Sequence, residues 1–230
     1  MSDENSNIHR RGFLSKITVG AAALGLAKLA SPLSLNAQEK KAMSKGTDHA
    51  FEAWLGKIKG KHKQVFDSPM PEGGMPPFGW TRVFLMTNES TGVASKDVTA
   101  VLILRHESIP LAMGHSLWEK YSFGEMFKIT DSATKAPAIR HPFYQPKEGE
   151  LPLPGIDVES LLKSGVLIGV CDMALTFYSK FVFAPKMNMD ADAIKKEWVA
   201  GIIPGIQIVP SGVLAVNRAQ EHGCTYCFAG

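Results

Sequence analysis

The stretch Val166-Leu167-Ile168-Gly169-Val170-Cys171 is apolar up to its final thiol. It runs directly into Asp172-Met173-Ala174-Leu175-Thr176-Phe177-Tyr178-Ser179-Lys180, which has helical character. A short apolar run followed at once by a helix is the signature of a buried strand feeding a crossover. A thiol at such a junction lies at the positive end of the helix dipole. That position favours the form that attacks sulfur, binds metal or carries a persulfide. The alternative is a buried cysteine that packs as a small hydrophobe.

Working outward, Thr99–Arg105 reads as a second apolar strand, Thr81–Thr87 as a strand before it, and Ile206–Val209 as one after. Lys61–Asp67 reads as a short edge strand and Cys224–Phe228 as the last strand. Helices are expected over Ala50–Ile58, Ile109–Phe127, Val158–Lys163, Ala191–Val199 and Val213–Glu221. In the first of these, Phe51, Trp54, Leu55 and Ile58 share one face. Pro69–Gly79, dense in proline, glycine and methionine, is expected to be irregular. Strands alternating with helices define an α/β fold. The expectation is an open, mostly parallel sheet with helices on both faces, in flavodoxin- or Rossmann-like layers. Gly165–Gly169 lacks the glycine and Lys-Ser/Thr pattern of a phosphate loop.

The N-terminus, His9-Arg10-Arg11-Gly12-Phe13-Leu14-Ser15-Lys16, with an apolar segment from Ile17 to Ala27, resembles a twin-arginine export signal. The expected organisation is a signal over 1–37, a linker and N-terminal extension over 38–79, and an α/β domain over 80–230. Such a signal implies the twin-arginine translocase as a partner, export in the folded state and a periplasmic destination. Its removal leaves 21 of the 25 basic residues and 20 of the 22 acidic ones, a net charge of +1. That balance gives no basic field for nucleic acid or an acidic membrane. Three cysteines, an odd number, cannot all pair within one chain.

Ligands of parallel sheets bind beyond the carboxyl ends of the strands. Reading those ends in order gives Asn88 and Glu89, then His106 and Glu107, then Cys171 and Asp172, then Pro210, Ser211 and Gly212. His106 near Cys171 would hold a thiolate as an ion pair. Ser211 is placed to cap the last helix, leaving backbone N–H groups of that turn, with Gly212, toward an anion. Asn88 and Glu89 would complete the ligand-binding rim. Asp172 reads most simply as a helix cap, and its charge opposes a thiolate. The tail His222-Gly223-Cys224-Thr225-Tyr226-Cys227 has a redox or metal spacing, and Cys224, Cys227 and His222 would suit copper or zinc. On an extended strand, however, the two thiols face opposite sides, with α-carbons about 10 Å apart, too far for a disulfide. The long segment Asp131–Pro154 is expected to be a lid or interface, with His141 a solvated loop residue.

Together, Thr99–His106, Gly165–Ala174 and Val209–Val213 with the final helix resemble the DsrE/DsrF-like family of sulfur-trafficking proteins. The Gln220–Gly230 ending and the export signal resemble an exported branch of it. The resemblance implies a DsrE-like fold, Cys171 as sulfur acceptor, and a homo-oligomer, a trimer or hexamer. It also implies a sulfur-donor or acceptor protein, or a small thiol, as partner. The function expected is that of a sulfur carrier or, at most, a sulfurtransferase. Alternatives are a metal- or small-ligand-binding module using Cys224, Cys227 and His222, and a non-catalytic binding protein of the same fold. The segment from Glu89 to Val98 is short for a helical crossover, which suggests a reduced first βα unit.

Overall fold

The computed structural model describes residues 49–230. The export signal expected over 1–37 and the linker expected over 38–47 lie outside the described residues. Five parallel strands form one sheet in the order β4-β3-β2-β1-β5. They are β1 (His62–Ser68), β2 (Val98–Leu104), β3 (Leu167–Cys171), β4 (Gln207–Val209) and β5 (Thr225–Phe228).

The connections explain the layers. From β1 to β4 every step goes the same way across the sheet, so right-handed crossovers put their helices on one face. These are α2 (Met75–Ser90), α3 (His115–Lys120), α4 (Phe123–Met126), α5 (Val158–Lys163), α6 (Asp172–Phe177), α7 (Ala184–Met187) and α8 (Ala191–Ala200). The last connection returns across the whole sheet, and its helix α9 (Gly212–Glu221) falls on the other face beside α1 (residues 49–55). Side-chain alternation follows suit. Phe66, Leu102, Leu104, Ile168 and Val170 enter the larger core, whereas Val65, Val101, Ile103 and Val209 enter the smaller one with Phe51, Trp54, Leu55, Ile58, Ala215 and Ala219. The apolar face expected of the first helical segment is the face that packs.

The amino-terminal part departs from expectation. Residues 49–79 are not a linker and extension: they supply α1, β1 and the start of α2. Strand β1 is interior, between β2 and β5, rather than an edge. Thr81–Thr87 is helical, inside α2. Pro76 and Pro77 sit in its first turn, where proline's missing N–H costs nothing. The β-branched threonines are accommodated by bonding back along the helix, Thr81 Oγ1 to Pro77 O at 2.7 Å and Thr87 Oγ1 to Val83 O at 2.8 Å. Helix α2 is therefore the crossover from β1 to β2, and the first βα unit is complete.

Ile109–Phe127 is not one helix. Residues His106–Ala112 form a 3-10 segment around Pro110, and α3 and α4 follow, separated by Ser122 in the left-handed region (φ 50°).

The 131–154 segment is anchored by Ala138, His141 and Phe143, all buried. His141 is fully buried rather than solvated. Its Nε2 lies 3.0 Å from Leu111 O, and its Nδ1 accepts the Phe143 N–H at 2.9 Å, which fits a neutral ring protonated on Nε2. Burial pushes its pKa down to about 3. Above about pH 6.5 the ring is neutral in both folded and unfolded chains. Below that the unfolded chain takes the proton first, so stability present at neutral pH is lost as the pH falls toward the folded value. The His141→Gln variant should lose about 2 kcal/mol less stability than the wild type between pH 7 and pH 5, measured by urea unfolding at both pH values.

Candidate functional site

At the carboxyl end of β3, Cys171 is the cap of α6. Its Sγ accepts the Ala174 N–H at 3.3 Å, and the residue is only 6% exposed. The next residue, Asp172, is not left as an opposing charge. Lys195 from α8 reaches it, with Nζ to Oδ1 at 2.8 Å and to Oδ2 at 2.9 Å, and also meets Thr176 Oγ1 at 2.8 Å. The helix begun at Cys171 runs through one π-helical segment, Tyr178–Phe183, before α7.

His106 follows β2 on the same rim, in the left-handed region at φ 52°. Such a conformation in a non-glycine residue is held by its surroundings and recurs at functional sites. Its Nδ1 pairs with the Tyr178 hydroxyl at 3.1 Å. Burial, then the charge of Glu107, pushes the Tyr178 phenol up to about 12, so the hydroxyl stays protonated at neutral pH. His106 and Cys171 stand on the ends of neighbouring strands, but their hydrogen bonds run to other partners: Tyr178 for the ring, the Ala174 amide for the thiol.

The most tightly bonded group on the rim is one that reading the strand ends does not single out. Asp67 is 4% exposed near the end of β1. It receives Arg105 Nε at 2.6 Å on Oδ1, Arg105 Nη2 at 2.9 Å and the Tyr226 hydroxyl at 3.0 Å on Oδ2. This forked pairing raises the Arg105 pKa further. Leu104 pairs with Val170, so Arg105 and Cys171 are the next residues along two adjacent strands. Gly212 makes room for the arginine: a Cβ there would lie 2.5 Å from Arg105 Cβ and 2.7 Å from its Cδ. Ser211 is the expected cap of α9, its Oγ accepting the Leu214 N–H at 3.2 Å. Cys171, His106, Ser211 and Gly212 therefore all stand at the carboxyl end of the sheet.

Asn88 and Glu89 do not. They lie in the last turn of α2, whose direction opposite to the strands carries them to the other end of the sheet. Their place on the rim is taken by the loop after β1, where Pro69 O accepts the Glu107 N–H at 2.9 Å.

The tail thiols separate as an extended strand requires. Cys224 enters the smaller core with α9, whereas Cys227 packs against the larger core on the opposite face. Burial pushes both pKa values up. All three cysteines are free, and no cluster of three His, Cys, Asp or Glu side chains suited to a metal ion occurs among the described residues. Cys224 and Cys227 do not converge with His222 on one ion. Between them, Tyr226 reaches Asp67, which joins the tail to the rim.

No family model matches the chain, and neither does any curated protein.

The Asp67–Arg105 pair can be weighed by removing one side. Arg105→Ala would leave a buried carboxylate with the Tyr226 hydroxyl alone, and should cost about 2–3 kcal/mol in urea unfolding after allowing for the partial exposure of the arginine. The Asp67→Asn/Arg105→Gln double variant should recover most of that loss.

Proposed function

We propose that this chain is an exported thiol protein of DsrE/DsrF-like type that accepts or relays sulfur through Cys171. The observation that carries the reading is the position of Cys171. It ends an interior strand of a parallel sheet, starts a helix, and has its acidic neighbour Asp172 neutralised by Lys195. Positive surroundings favour the thiolate, and ligands of an open parallel sheet bind beyond the carboxyl ends of its strands, where Cys171 stands. The left-handed His106, bonded to Tyr178 from the π-helical turn, adds a second polar group to the same rim. The twin-arginine-like start from His9 to Lys16 supports a periplasmic setting reached through the twin-arginine translocase. A donor protein or a small thiol would supply the sulfur.

The low exposure of Cys171 favours a second reading, a binding protein of the same fold with an unreactive thiol. Treatment of the reduced protein with a persulfide donor, followed by mass spectrometry, separates the two. One added sulfur at Cys171, absent from Cys171→Ser, is expected for an acceptor. An unmodified Cys171 would favour the inert reading. Cys224, buried and with its pKa raised by that burial, should label slowly in the folded protein.

The homo-oligomer belongs to the same proposal. Met173, Phe177 and Phe181, four residues apart along one helix, are 60%, 48% and 52% exposed and form an apolar stripe leading from Cys171. Exposed apolar ridges of this kind mark association surfaces. Phe177→Glu/Phe181→Glu is expected to sediment as a smaller species than the wild type in analytical ultracentrifugation, with unchanged circular dichroism.

A further inference from the structure

Arg105 carries more donors than the fold uses. Two of the five N–H groups of a guanidinium go to Asp67, and the others have no protein acceptor among the described residues. The Asp67 carboxylate lies underneath, buried, with its oxygens occupied by Arg105 and Tyr226. The arginine side chain is 26% exposed. An approaching molecule therefore meets the guanidinium before it meets the carboxylate. The strand register sets the backbone of Arg105 beside Cys171, on the neighbouring strand of a sheet whose strands are about 4.8 Å apart, and although the guanidinium turns across to Asp67 on the other side of β2, it stays within electrostatic reach of Cys171. Asp67 of β1 binds the guanidinium, Tyr226 of β5 donates to that carboxylate and fixes it, and the side-chain-free Gly212 of α9 leaves the arginine room.

We propose that Arg105 is the specificity residue of the Cys171 site and selects small anionic donors whose negative charge lies next to the transferable sulfur, thiosulfate being the smallest of the class. The inference rests on the sulfur-acceptor reading of Cys171. In the transfer, the Cys171 thiol gives its proton to solvent and its sulfur attacks the outer, sulfane sulfur of thiosulfate. A new S–S bond forms to Cys171, and the S–S bond within thiosulfate breaks. The electron pair of that bond leaves with sulfite. Charge and atoms balance without an external oxidant or reductant. The role of Arg105 is to hold the sulfonate oxygens, so the charge it meets is the same in the donor and in the departing sulfite.

Two measurements on the folded, reduced full chain test this. The first compares alkylation of Cys171 by iodoacetate and by iodoacetamide, probes of similar size that differ in charge. The iodoacetate-to-iodoacetamide rate ratio should fall about fivefold in Arg105→Gln, the loss expected for one unit charge several ångströms away in a partly wet cleft. Asp67→Asn/Arg105→Gln, which leaves no buried carboxylate unpaired, removes the exposed cation together with its buried counter-charge and should give a smaller fall, about twofold, in the same direction should the single variant fold poorly. The second measurement exposes the protein to thiosulfate and, separately, to an uncharged organic trisulfide. Thiosulfate should add one sulfur to Cys171 with release of an equal amount of sulfite, more slowly in the Arg105 variants, while the trisulfide reaction stays unchanged. An equal probe ratio in wild type and variants would overturn the role of Arg105. Modification by the trisulfide but not by thiosulfate would overturn the donor class and leave the acceptor reading standing. Modification by neither donor would overturn both.

Discussion

Burial of the sheet on both faces is the constraint from which the rest of the structure follows. In β2, the residues from Thr99 to Leu104 are all buried, alternating between a large core and a small one. A strand in that position has no solvated face on which to carry chemistry, so polar side chains are driven to its ends. At the carboxyl end this concentrates Asp67, Arg105, His106, Cys171 and Ser211 within the final residues of successive strands or just beyond them. The one-way stepping from β1 to β4 and the single return to β5 then decide which helix covers which side. Because β5 comes back beside β1, the chain's last residues lie over the end of its first strand, where Ala229 N donates to Asp67 O at 2.9 Å.

The charged groups are arranged so that two carboxylates at the Cys171 end of the sheet, Asp67 and Asp172, are already answered. Asp67 is held by Arg105, and Asp172 is held by Lys195. Leaving either carboxylate without its partner would cost desolvation in the first case and would set a bare negative charge beside the thiol in the second. Both cations come from elements distant in sequence from their partners, so the local electrostatics of the thiol are a property of the tertiary fold. The same holds for Tyr178, the first residue of the π-helical segment, whose hydroxyl meets His106 from 72 residues further along the chain.

Legibility in the sequence tracks how local each signal is. Strands β2 and β3, helices α5 and α9 and the cap at Ser211 are written in runs of a few residues, and those readings stand close to the observed bounds. Strand β1 opens on the polar run His62, Lys63 and Gln64, which locally suits an edge. It is interior because the final strand returns to pair with it, a long-range event that leaves no local mark. Thr81–Thr87 carries a strand-like composition, and a strand there would set Asn88 and Glu89 on the rim, whereas the helix sets them at the other end of the sheet. The β-branched and apolar residues there suit a strand on propensity alone, but side-chain bonds back to the preceding turn and packing of Phe78 and Thr81 hold them in a helix. Arg105 and Asp67 carried a faint signal, each a charge closing a run of mostly apolar residues. Their pairing needed the register of two strands 38 residues apart.

The tail bears on how a Cys-x-x-Cys should be weighed. The spacing by itself specifies nothing, because the backbone decides whether the two sulfurs meet. The extended chain sends Cys224, just before β5, to one core and Cys227 to the other; of the two residues between them, Thr225 bonds to β1 at Lys63 O and Tyr226 reaches Asp67. A strand can aim a side chain at a neighbour only along the face it shares with that neighbour. Tyr226 shares the α9 face with Asp67 and Arg105, and Cys227 does not. The residues that look most reactive in the final segment are thus turned toward the two cores, Cys224 buried and Cys227 half-buried. The phenol between them reaches the rim and fixes the orientation of the carboxylate that orients Arg105. A chain whose last strand supports its first in this way ties the geometry beside Cys171 to completion of the whole sheet. The Asp67–Arg105–Tyr226 arrangement is complete only once β5 has docked beside β1.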